Sequence, residues 1–450
     1  VDQLALDLHL DLTSARGVRT GIEDSLREAI RAGQLSRGTL LPSTRALAQD
    51  LGVSRGTVVA AYTQLAAEGW IGTRAGFGAV VVADPSPPRH KTSSASAAST
   101  RHDLRAGFPA PSSFPRVEWL GCLRRALLSA PAQVLNNMDP EGLPQLRFEL
   151  ARYLGRARGL RVTPDNIVVT NGFTHSLHLL ARVLDHPRIA IEEPSNFMHR
   201  AILREAGHEL VLLPVDTEGA VTDQLGDVGA AVVTPNCQFP LGVTLSARRR
   251  SRLIDWARET DAIIVENDFD GEFRYDSHPL TPLQALQPES VVYAGTTSKS
   301  LTPGLRLGWL ALPDHLVELV RRVRTHTDLS NGVFDQLAFT EFLRTGSYDR
   351  HIRKQRLRYR QRRDAILSIL PEGLEVSSGN AGLNLVLYLP DREAEGRALA
   401  AAAARGLAVE GLSRYYEGEA RAGLIVGYGA PAEHTFASAL EALADTLRST

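Results

Sequence analysis

Lysine is almost missing from this chain: of 50 cationic residues in 450, only Lys91, Lys299 and Lys354 are lysines and the rest are arginine. Only an amine attacks a carbonyl to form a Schiff base, so carbonyl chemistry has three possible seats. Cysteine is scarce too. Cys122 and Cys237 stand far apart with neither metal-ligand nor redox spacing, which fits a reducing compartment and gives no metal site to expect. Neither sign of charge is in excess, since 50 basic residues face 51 acidic ones for a formal charge of -1. Any nucleic-acid surface must therefore be a local patch. No run approaches the roughly 18 uninterrupted apolar residues of a membrane span. The opening VDQLALDLHLDLTS has neither the basic start nor the apolar run of a secretory signal. A cytoplasmic protein with no membrane partner is the expectation.

At 450 residues the chain exceeds what one core usually organises, so two or more domains are expected. Residues 84–103, rich in Pro, Ser and Ala and without apolar periodicity, read as a flexible linker. They separate a domain at 1–83 from a larger one at 104–450. Before the linker, Ile22, Leu26, Ala29 and Ile30 recur at helical spacing, and a second helix follows Ser43. Gly52 turns the chain into a third helix from Ser54 to about Glu68. Two short β-patterned pieces, near 70–73 and 79–82, then flank a Gly-containing tip. After the linker, β-branched runs at 167–170, 188–191, 210–213, 230–234, 262–266 and 290–294 alternate with amphipathic helices. That alternation predicts an α/β domain with a mostly parallel, helix-covered sheet. From about residue 330 a smaller α/β subdomain is expected.

The order helix, helix-turn-helix, Gly-tipped hairpin is that of a winged helix. The segment LPSTRALAQDLGVSRGTVVAAYTQLAAEGWIGTRAGFGAVV resembles the GntR-type winged helix nearly end to end. Ser54, Arg55 and Thr57 fall at the start of the third helix, where recognition helices reach base edges. Arg55 suits bidentate pairing with guanine, Arg45 and Arg74 suit phosphate or the minor groove, and Gly76 lets the wing approach the duplex. Between Arg37 and Gly78 four arginines oppose Asp50 and Glu68, a modest basic patch. The alternative is a helical hairpin used for protein contacts.

Lys299 sits in YAGTTSKSLTPGLRLGW (293–309), an apolar, Gly/Ser/Thr-rich setting unlike those of Lys91 and Lys354. This segment is similar to the pyridoxal-phosphate lysine segment of fold-type-I aminotransferases, in the version carried by MocR-type regulators of the GntR superfamily. Matching pieces follow in the family's order: DPEGLPQLR (139–147), TNGFT (170–174), TPNCQFPLG (234–242) and NDFDGEFRY (267–275). The resemblance implies a winged helix fused to a fold-type-I domain, a homodimer, operator DNA as partner, and a small-molecule effector such as an amino acid or amine. It implies pyridoxal 5'-phosphate held by Lys299 as a Schiff base. Backbone N–H groups of Gly172, Phe173 and Thr174 would hold the phosphate, with Arg306, Ser298 and Thr296.

Several positions depart from the family. Asn267 stands where an Asp normally meets the pyridine nitrogen, and Phe269 where a Tyr hydroxyl meets the ring oxygen, which weakens the electron sink of transamination. Strand alternation would turn Asp268 to the opposite face. Asn137 and Asn196 replace tyrosines near the phosphate and ring, and Gly423 occupies the place of a carboxylate-binding Arg, with Arg421 nearby. A regulator, an active aminotransferase with a DNA-binding appendage, and a cofactor-free sensor on the same scaffold are the three readings. The arginines at 344–363 read either as a solvated helix face or as a second phosphate-tracking surface.

Overall fold

The computed structural model describes residues 17–74, 78–83, 101–136, 138–275, 280–377 and 379–449. It divides into two compact units, 1–96 and 97–450. In the first, α1 (Val18–Arg31), α2 (Thr44–Asp50) and α3 (Arg55–Ala67) precede β1 (Ile71–Arg74) and β2 (Gly78–Val81), which pair antiparallel. Ile22, Leu26 and Ile30 of α1 meet Val58, Ala61 and Leu65 of α3 in a dry core that also takes in Leu47, Ile71 and Val81. The Ser43 and Ser54 hydroxyls accept from the N–H groups of Ala46 and Thr57, caps worth about 1 kcal/mol each. Leu40 bridges to Val80, so the turn before α2 is sewn to the wing.

In the second unit one sheet collects β3 (Ile167–Thr170), β4 (Arg188–Glu193), β5 (Glu209–Asp216), β6 (Gly219–Ala220), β7 (Ala230–Val233), β8 (Ile263–Asn267), β9 (Val291–Thr296) and β10 (Gly308–Ala311). Their order is β3-β10-β9-β8-β7-β4-β5-β6. β10 runs antiparallel to both neighbours and β6 antiparallel to β5; the other pairings are parallel. The central strands are buried along their length, as apolar runs covered on both faces should be. β10 and β6 lie outside the expected strands; β6, with two residues, is too short to show a period. Beyond the sheet, β11 (Asn384–Tyr388), β12 (Glu410–Gly411) and β13 (Gly423–Gly427) form a small antiparallel sheet in the order β11-β13-β12.

Two expectations need correction. Residues 101–103, read as linker, are ordered by backbone pairing: His102–Asp103 lies parallel to Leu407–Ala408, and Leu104 exchanges hydrogen bonds with Ala408 and Gly427. The arginine-rich stretch is not one helix, since it breaks at Gly346 between Val333–Arg344 and Ser347–Leu367. Most of its cations are already engaged. Arg344 pairs with Glu341, Arg358 and Arg362 with Glu433, and Arg363 with Asp364. Arg356 donates to the Glu272 carbonyl and Arg350 to Thr345 and Ser347. Arg353, Lys354 and Arg360 alone stay exposed with no side-chain partner among the described residues. A continuous phosphate track is thereby reduced to three free cations. Among the described residues, no helix is long and apolar enough to cross a membrane.

Candidate functional site

In the first unit, Arg55 opens α3 and is exposed, as are Arg37 and Arg45. None of the three makes a side-chain ion pair or hydrogen bond among the described residues, whereas Arg19 pairs with Glu23 and Arg27 with Glu23, Asp24 and Glu68. The Ser54 and Thr57 hydroxyls lie 2.8 Å apart and close the helix start together, so Arg55 is the side chain left to extend from that turn. Arg74 ends β1 opposite Gly78. Gly76 lies outside the described residues, as does Asn137.

In the second unit a cavity of about 350 Å³ opens where several sheet strands end. Thr234 follows β7, Asn267 and Phe269 end or follow β8, and Thr296, Ser298 and Lys299 end or follow β9. Ligand sites of open α/β sheets lie at such carboxyl ends. Gly172, at φ +92°, caps the helix Phe173–Leu180, and a Cβ placed there would sit 3.6 Å from Thr296 Oγ1, 3.8 Å from Ser298 Oγ and 3.8 Å from Arg306 Nη1. The expected anion cradle is therefore brought together: a helix start with free N–H groups, two hydroxyls 2.9 Å apart, and a guanidinium. Arg306 holds a left-handed backbone at φ +47° and has no side-chain partner among the described residues. Strain with an unpartnered cation points to a ligand.

The Lys299 amine donates to the carbonyl of Gly107 and lies 5.7 Å from the Phe108 ring centre and 6.0 Å from that of Phe269. Burial lowers its pKa to about 8, with the carboxylates of Asp270 and Glu410 pulling the other way. Gly107 stands at φ +78°, a backbone that favours glycine, and a Cβ on it would fall 2.8 Å from the amine and push the lysine aside. Asn267 is buried and its Oδ1 has no partner. That orphaned acceptor, the Gly172 cradle and the tuned amine fit pyridoxal phosphate.

Asp268 faces away. Its carboxylate pairs with buried Arg158, and accepts from Tyr293 Oη at 2.6 Å and Asn236 Nδ2 at 2.7 Å. Asn196 lines the cavity, but its side chain caps the helix Phe197–Glu205 by accepting from Met198 N at 2.9 Å. Gly423 is not at the cavity: a Cβ there would meet the Leu387 carbonyl oxygen at 2.7 Å. Arg421 is held by Glu375 and stacks 3.8 Å from the Tyr388 ring centre.

Sequence reasoning missed several lining residues. His199 packs edge-on against Phe173 at 4.8 Å, and burial, with Lys299 and Arg200 nearby, lowers its pKa to about 4, so it is neutral. Glu192 accepts from Thr234 N and Oγ1, and burial raises it to about 7. Glu410, Tyr415, Phe239 and Phe108 complete the wall. Phe239 lies within the quoted 234–242 motif; nothing in the sequence marked Glu410.

Two family models match the chain: "Bacterial regulatory proteins, gntR family" over residues 19–81 and "Aminotransferase class I and II" over residues 119–412. The pyridoxine biosynthesis transcriptional regulator of Corynebacterium glutamicum is 34% identical, covering 98% of this chain and 98% of that protein. The probable rhizopine catabolism regulatory protein of Rhizobium meliloti is 32% identical, covering 94% and 92%. Among solved structures, an archaeal alanine:glyoxylate aminotransferase matches with a TM-score of 0.72 at 27% identity, over 78% of this chain and 91% of its own.

Proposed function

The chain belongs to the GntR-type transcription regulators of the MocR and PdxR kind, in which a helix-turn-helix unit is fused to a class I and II aminotransferase domain, and from that premise we propose that it binds operator DNA and answers to a small ligand held with pyridoxal phosphate in the Lys299 cavity. The observation that carries the cofactor reading is the meeting of two hydroxyls, the Gly172 helix start and Arg306, which has no side-chain partner among the described residues, at a cavity with Lys299 in its wall.

Pyridoxal phosphate supplies an aldehyde that condenses with amines and a pyridine ring that draws electrons once its nitrogen is protonated. Here the helix start, Arg306, Thr296 and Ser298 would hold the phosphate, and Lys299 would hold the aldehyde carbon. Asn267 offers the ring nitrogen a hydrogen bond without a counter-charge, and Phe269 offers the ring oxygen none. Asp268 is committed to Arg158 and Tyr293. These residues favour binding over transamination, so a regulator is the better reading than a working aminotransferase.

Signal has a physical start. Gly107 belongs to the segment that follows the linker, and its carbonyl accepts from Lys299. Engagement of that amine by the cofactor would give up the hydrogen bond at the head of the sensor domain. The proposed homodimer is supported by Val117, Leu120 and Leu128, which expose one apolar stripe on the helix Arg116–Ser129.

The decisive experiment is a spectrum. Protein loaded with pyridoxal phosphate should show a visible or near-ultraviolet band that Lys299→Ala abolishes, and its operator footprint should change on adding an amine. A band indifferent to Lys299→Ala, or identical footprints with and without amine, overturns the reading. A pH series adds an independent check. With the amine at about 8 rather than the ordinary 10.5, the neutral, reactive form saturates early. The rate of pyridoxal-phosphate capture should climb with pH and level off above about 8; a continued climb toward 10.5 would show an unperturbed lysine.

A further inference from the structure

Resting on the ligand-sensing reading above, we infer that the effector carries a second cationic group, seated against Glu410 among the rings of Phe197, Phe239 and Tyr415, and is therefore diamine-like rather than an amino acid. The cavity wall carries two unlike kinds of side chain. Its lining cations among the described residues are Lys299 and Arg306; the first has carbonyl work to do and the second stands at the Gly172 cradle. His199 is neutral. The rest of the wall includes the Glu410 carboxylate, whose charge reaches the Lys299 amine, and aromatic faces.

Phe239 lies 5.3 Å from Tyr415 in an edge-on arrangement, and Phe197 lies 6.1 Å from Tyr415. Glu410 borders them, and its charge adds to the burial that raises the Tyr415 phenol. Rings beside a half-buried carboxylate attract ammonium groups through quadrupole and charge together. The chain already fills this seat from outside. The half-exposed guanidinium of Arg414 lies 4.9 Å from the Phe197 ring centre and 5.7 Å from that of Tyr415, and donates to Glu410 at 3.3 Å.

A ligand carboxylate seated here would be repelled by Glu410, and the arginines nearby are held by acids. Arg414 is paired with Glu410, Arg421 with Glu375, and buried Arg200 with Glu193 and Glu417. Glu192, the other lining carboxylate, is committed to Thr234 and Gln238. Glu410 is the acid with capacity left: besides its contact with the Tyr415 phenol it accepts a long hydrogen bond from the exposed Arg414, which a ligand cation can displace.

The test compares three probes with the same number of carbons on cofactor-loaded full chain: 1,4-diaminobutane, 4-aminobutanoate and butylamine. Half-saturation is read from the cofactor absorbance and from the rise in unfolding temperature. The diamine should half-saturate at a concentration lower by about tenfold or more than either competitor. Glu410→Gln should remove most of its advantage over butylamine, and Arg414→Ala should enlarge it by freeing the carboxylate. Tighter binding of 4-aminobutanoate, or an unaltered diamine-to-butylamine ratio in Glu410→Gln, overturns the inference. Calorimetry on cofactor-free chain separates the two claims. No lysine-dependent band with the diamine preference intact fails only the cofactor reading; a band without the preference, or preference in neither form, fails this one.

Discussion

Replacing Arg55 by alanine is expected to weaken operator binding roughly 10- to 100-fold, the range for one bidentate base contact, while leaving thermal unfolding where it was. The asymmetry follows from the side chain's situation. Arg55 opens α3 beside the Ser54–Thr57 cap, is exposed, and pairs with no acid among the described residues, so its charge adds nothing to the fold they form. Truncation removes only what it does outside the protein. Operator variants changed at one base pair should then be bound alike by the Arg55→Ala protein, because a lost base contact relaxes specificity at one place. Arg37→Ala and Arg45→Ala should behave differently, weakening all duplexes evenly and lowering the salt slope by about one each. Gel-shift titrations at several salt concentrations measure all of this. Unchanged affinity in Arg55→Ala would mean that α3 does not read bases.

The second large effect is on stability. Arg158→Met should cost about 3–5 kcal/mol and lower the unfolding temperature of the aminotransferase-like unit by several degrees, because it strands the buried Asp268 carboxylate. Tyr293 and Asn236 would remain as donors, but neither carries charge. Adding Asp268→Asn to Arg158→Met should recover much of the loss, since the uncompensated charge is then gone. Calorimetry on the single and double variants decides it. The contrary outcome is also informative: if Asp268→Asn alone abolished the cofactor band with stability untouched, Asp268 would reach the ring and the assignment of Asn267 to that position would fall.

The residues legible in the sequence share one property: their chemistry is local. Lys299 stood out through the rarity of lysine and its Gly/Thr/Ser setting, and Gly172, Thr296, Ser298 and Arg306 came from short motifs around it. The structure brings all of these together around one cavity. Period-two alternation after Ile263 was enough to turn Asp268 away from Asn267 and Phe269, and Asp268 does meet Arg158 on the other side. Where a residue has two uses, the local pattern shows only one of them. Asn196 lines the cavity where a ring partner is expected and also caps a helix, a use that no short motif displays. Gly423 was read as a vacated arginine position, yet its Cβ direction runs into the Leu387 carbonyl.

By itself, then, the sequence determined the order of elements, the family, and the amine that matters, because helix caps, strand periods and a lone lysine are written within a few residues of chain. Tertiary structure alone decided what faces that amine. Gly107, His199, Phe239, Glu410 and Tyr415 reach one cavity from distant segments, and closeness in space across such separations is set by how the sheet and the small subdomain pack. Charge and aromatic surface converge there without leaving any local pattern to read.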